Sequence, residues 1–88
     1  PTHLVIPLMK LGRGLELVGV KVPAEAGVVG KRIRDLLLPH GSLIPLIVSH
    51  DGSPRVPTAD TAIHAEDEIV AVTSTENEEA LRIILTQP

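Results

Sequence analysis

A chain of 88 residues with a net charge of −3, no cysteine and no Phe, Tyr or Trp is one small domain, burying only about 60 to 65% of the surface its unfolded form exposes. The missing thiols exclude disulfides and thiolate-bound zinc. The missing aromatics and the acidic balance exclude the stacking platforms and basic tracks that hold nucleic-acid polymers. Self-association is then the common remedy for a small core, and an apolar fraction of 43% points to a homodimer.

The opening "PTHLVIPLMKLGRG", residues 1–14, is apolar but interrupted by Pro7 and closed by Gly12 and Gly14, which reads as a lead-in or linker to residues 15–88. The chain begins on Pro1 rather than Met, as expected of a piece of a longer protein. "LELVGVKV" places Glu16, Val18, Val20 and Val22 on one side and Leu15, Leu17, Gly19 and Lys21 on the other, a strand buried largely on one face. After "PAEAG", the apolar residues Val28, Val29, Ile33, Leu36 and Leu37 recur at three-to-four-residue steps. That spacing predicts a short helix ended by Pro39 and Gly41.

"SLIPLIVSHDGSPRVP" is a hairpin by its punctuation, turning at Asp51-Gly52. Pro45, Pro54 and Pro57 lack amide donors and are expected at edges or bulges. "TADTAIHAED" reads as a long turn, "EIVAVTS" as a central strand, and "TENEEALRIILTQP" as a closing helix with Thr75 at its N-cap and Glu78 as capping-box partner. The expected class is α+β: a four-stranded, mostly antiparallel sheet with two short helices, in the order strand, helix, strand, strand, strand, helix.

No constellation in this order carries catalysis. Gly27 and Gly30 stand two residues apart and Arg32 follows Lys31, whereas a phosphate loop needs four residues between its glycines and Ser or Thr after the lysine. The histidines at 3, 40, 50 and 64 have no metal-ligand spacing, so neither a metal nor another cofactor is expected. The acids at 66–68 enter a strand and those at 76, 78 and 79 start a helix, both structural placements. The serines at 42, 49, 53 and 74 lack a nucleophile-elbow context. The chain reads as a non-enzyme. What stands out is a basic group, Lys31, Arg32 and Arg34, next to an apolar hairpin flank of Ile44, Pro45, Leu46, Val56 and Pro57. Successive strand residues face opposite ways, so one side of that flank needs cover from a second copy or a ligand.

In combination, "LELVGVKVP", "VVGKRIRDLLLP", "LIPLIVSHDG" and "VPTADTAIHAEDEIVAV" before a terminal helix resemble the C-terminal domain of the RCK family, also called the TrkA-C domain. The likeness covers about residues 15 to 86. It implies a cytoplasmic regulatory domain, held at the membrane through its parent protein, that dimerises and couples ligand occupancy to a potassium channel, potassium uptake system or other ion transporter. Some members bind cyclic di-AMP at the dimer interface. By position, the residues that the resemblance implies for such a ligand are Val29 or Ile33, Arg34, Ser42, Leu43 and Pro57, with His40 nearby. The chain departs from the family pattern twice. Cyclic di-AMP binders generally carry Asn near Ser42, and serine reaches less far; Glu66-Asp67 stands where Gly-Asp is usual before the last strand. The alternative is a purely structural dimerisation module without a small-molecule ligand.

Overall fold

The computed structural model describes residues 3–88. Five strands, β1 (Val5–Gly12), β2 (Leu15–Lys21), β3 (Leu43–Val48), β4 (Pro54–Arg55) and β5 (Glu68–Ser74), form one sheet in the order β1-β2-β5-β3-β4. Every neighbouring pair is antiparallel. One α-helix, α1 (Glu78–Thr86), closes the chain. The class is α+β as expected, with five strands in place of four and one α-helix in place of two.

The added strand lies in the segment expected as a lead-in, of which the first two residues fall outside those described. Its apolar residues pair with β2, from Val5 opposite Val20 to Gly12 opposite Leu15, with register shifts after Pro7 and after Lys10. An edge position tolerates Pro7, because the missing amide takes nothing from a central ladder. The punctuation read as a linker is therefore the bulged edge and tip of a hairpin.

The expected helix around residues 28–38 is a set of turns ending in a 3-10 turn at Ile33–Asp35. Its amides are taken by distant partners: Gly30 donates to Ile63 O at 2.8 Å, Ile33 to Thr61 O at 3.0 Å and Arg34 to Ala59 O at 2.9 Å. Arg32 is extended and bridges Ala62, and Gly30 at φ 89° takes a left-handed conformation that no helix interior accommodates. The three-to-four-residue spacing survives as packing. Val28 is buried, and Val29, Ile33 and Leu36 lie against the core, but Leu37 is exposed.

The hairpin is as expected. Ser49 donates to Ser53 O and Gly52 to Ser49 O, both at 2.8 Å, and Pro45 falls in the register shift between Leu43 and Leu46. Ser53 N–H donates to the Asp51 carboxylate at 2.9 Å, and this bond holds the carboxyl below its usual range. β5 is central, between β2 and β3. The closing helix differs at its start, where a 3-10 turn at Thr75–Asn77 precedes it and its N-cap is Asn77, with no side-chain cap. The Thr75 capping box is not formed.

The core lies between one sheet face and α1. Val18, Val20, Ile47, Ile69 and Ala71 pack with Leu81 and Leu85. At the entrance to β5, Glu66 donates to Val22 O and Val22 to Asp67 O, each at 2.8 Å. This exchange puts Glu66 at φ 67°, a left-handed conformation that side chains rarely adopt. Glu66→Gly is expected to stabilise the chain by roughly 0.5 kcal/mol, relief of left-handed strain outweighing the added freedom of the unfolded chain. Chemical denaturation reads this as a higher midpoint at unchanged slope.

Candidate functional site

The residues singled out in the sequence fall into two groups. In the first, the loop after β4 folds back over the 3-10 turn through its backbone bonds, and Asp60 receives two of the three basic side chains. The Arg34 guanidinium donates to the Asp60 carboxylate, and Arg32 approaches it at 3.9 Å. The loop holds itself in shape, with Thr58 N–H donating to Thr61 Oγ1 at 2.9 Å and Asp60 N–H to Thr58 Oγ1 at 3.3 Å. Arg34 and Asp60 are both more than half exposed, so the pair orients the guanidinium more than it stabilises the fold. Pro57 is half-buried at the start of this loop, beside Val56, which is 82% exposed. Val29 and Ile33 support the group from below by packing on the core.

The second group sits at the start of β3. The Ser42 hydroxyl bonds Thr73 Oγ1 of β5 at 2.8 Å, and Thr73 is fully buried. His40 is exposed and its carbonyl accepts from Asn77 Nδ2 at 3.3 Å. Leu43 is exposed. Among the described residues, no hydrogen bond or ion pair joins the two groups. Three cavities, of 330, 490 and 220 Å³, are lined by other residues. Asp60 is the participant that sequence reading missed. Its signal was faint: an acid in "PTAD", a turn composition, with nothing local to say which cation it would meet.

A second charged feature lies where α1 meets β2. Glu16 is buried on the core face of β2, and the side-chain hydrogen bond with it raises the Glu78 carboxyl, with burial and Glu16's charge acting in the same direction. A raised folded value makes this contribution fully present below the ordinary 4.5 and lost as pH rises through the folded value. Glu78→Gln is therefore expected to gain on the unmodified chain by roughly 0.3 kcal/mol at neutral pH, the size of a like-charge pair discounted for the solvent that Glu78 still meets. Thermal unfolding followed against pH should show that gain vanish in acid.

Among the described residues, no group of His, Asp and Glu side chains has the arrangement to hold a metal ion, and no helix is long and apolar enough to cross a membrane. The sequence model of the TrkA-C domain matches residues 17–85, and no curated protein matches the chain. The chain belongs to the TrkA-C domain family, whose members are regulatory domains of ion transporters and channels.

Proposed function

We propose that this TrkA-C domain is a cytoplasmic ligand-sensing and dimerisation domain of a potassium or other ion channel or transporter, taking cyclic di-AMP between two copies. It acts by shifting a conformational equilibrium rather than by catalysis. The observation that supports this reading is the exposed Arg34 guanidinium, paired with Asp60 on the loop that begins with Val56 and Pro57. A two-fold pair of such sites supplies two arginines for two phosphates, while Leu43, Pro57 and the aliphatic residues behind them give adenine an apolar wall. Asp60 is then a competitor that the phosphate displaces.

Calorimetric titration with cyclic di-AMP tests this. Heat of binding is expected, lowered in affinity at least tenfold by Arg34→Ala and raised by Asp60→Asn, since the neutral amide no longer competes for Arg34. No heat at high micromolar ligand, or an Arg34→Ala chain that binds unchanged, sinks the ligand reading. The second reading, a structural dimerisation module, is favoured by the engagement already present, Arg34 with Asp60 and Ser42 with Thr73.

A further inference from the structure

Among the described residues, one face of the sheet carries a helix and the other carries none. Val18, Val20, Ile69 and Ala71 turn toward α1, so their neighbours Leu17, Gly19, Val70 and Val72 face the other way. Register adds Met9 opposite Leu17, Ile6 opposite Gly19 and Leu46 opposite Val70. Ile6 is 52% exposed, Leu8 48% and Met9 59%. This is an apolar strip of the kind that marks an interaction site when polar groups rim it. Where β2 ends and β5 begins, the strip turns acidic. A cavity of 490 Å³ there is lined by Ile6 and Gly19 on its apolar side and by Lys21, Glu25, Glu66 and Glu68 on its charged side, with His3. Three carboxylates thus meet one lysine. Among the described residues none of the three forms an ion pair, although Lys21 stands opposite Glu68 in the ladder. The Glu68 carboxylate lies instead over Gly19, where a Cβ would meet its Oε2 at 3.0 Å. The missing side chain lets a half-buried acid rest on the end of the apolar strip.

We infer that this face docks a cationic amphipathic helix of a partner polypeptide, its apolar stripe along Ile6, Met9, Leu17 and Val70 and its Lys or Arg residues in the acidic cavity. Charge selects the occupant. A second copy brings the same carboxylates to the contact, and an anionic bilayer is repelled by them. A metal ion does not fit, since no group of His, Asp and Glu side chains among the described residues has the arrangement to hold one. An added strand is refused as well, because Pro7 and two register shifts blunt the edge of β1. A helix laid on a sheet is the ordinary cover for an apolar face, and α1 covers the other face in that way. Lys or Arg on that helix answers the unpaired acids. Its apolar residues keep water from the new ion pairs and so strengthen them, while the same carboxylates reject an acidic segment.

The inference stands apart from the cyclic di-AMP reading and shares with its residues only Leu43, at the β3 border of the strip. Met9 is the only methionine, so it gives a single methyl resonance to follow. The probe is a synthetic peptide of about four helical turns, with Leu at i, i+3, i+4 and i+7 and Arg at one end. Adding it is expected to shift the Met9 signal, and a peptide with Glu in place of Arg is expected not to bind. By calorimetry the affinity for the Arg peptide should fall at least about tenfold in Met9→Lys and in the double variant Glu25→Gln, Glu68→Gln. The double variant Glu76→Gln, Glu79→Gln, an equal change of charge on the α1 side, should alter it by less than about threefold. Equal losses in the two double variants mean unspecific attraction to an acidic chain and overturn the inference. So does a Met9 signal that stays in place, whether the peptide binds elsewhere or not at all. A signal that moves with the concentration of the chain and not with peptide makes the occupant a second copy, and one that moves only with phosphatidylglycerol vesicles makes it a bilayer. Either result overturns the docking inference and leaves the Arg34 titration to be judged by itself.

Discussion

Asp67→Ala is expected to lose about 3 kcal/mol of stability, because one carboxylate at the entrance to β5 satisfies two otherwise stranded donors. Asp67 is 1% exposed and its Oδ2 accepts from the Arg55 guanidinium at 2.7 Å and from His64 N–H at 2.8 Å. Among the described residues, Arg55 Nε is already buried without a partner, and Asp67 is the carboxylate that compensates the Arg55 charge. Truncation leaves a part-buried charge and an unpaired amide on a stretch whose backbone also ties Val22 to β5. For a domain of this size the loss corresponds to roughly 12 to 24 °C in Tm. The added change Arg55→Met, which removes the stranded cation, should recover a large part of it, since removing both partners costs less than removing one. If Asp67→Ala melts within a degree or two of the unmodified chain, the carboxylate is not what organises this corner.

Leu81→Ala is expected to cost about 3 to 4 kcal/mol, the transfer term plus the cavity left where the surroundings cannot collapse. Leu81 is fully buried in the cluster that joins α1 to Val18, Val20 and Ala71. Two fully buried leucines, Leu81 and Leu85, anchor the one helix covering this face, so the loss of one is a large share of the roughly 5 to 10 kcal/mol that holds a small domain together. Ile83→Ala, two residues on and 36% exposed, should cost under about 1 kcal/mol. Denaturant midpoints for the two variants decide it: equal losses would mean that α1 does not dock through Leu81.

Features that rest on near neighbours in the chain were legible in the sequence. Alternation placed Val18, Val20 and Val22 on one face of β2, and they are the buried ones. Asp51-Gly52 marked the hairpin, Pro45 its bulge, and the apolar run of 69–72 a central strand. The left-handed turn that Glu66 adopts at φ 67° was not read from the sequence, which showed only the departure from glycine. Of the proposed ligand residues, Arg34 and His40 were readable as surface groups, Leu43 entered only through the resemblance and is exposed, and Val29 and Ile33 lean on the core.

The sequence by itself determined the class, the strand periodicities and the family, because each depends on spacing over a few residues. Tertiary structure alone decided whether the spacing at 28–38 became a helix, since a periodic apolar pattern says which side is buried but not where the amides find their acceptors. There the acceptors were Ala59, Thr61 and Ile63, some 25 to 33 positions away. The same holds for β1, whose apolar residues became a strand only because β2 offered a free edge, and for Arg34, whose counter-charge Asp60 is brought to it by the return of the loop. Pairing at long separation is an energy shared between segments, and no single segment encodes it.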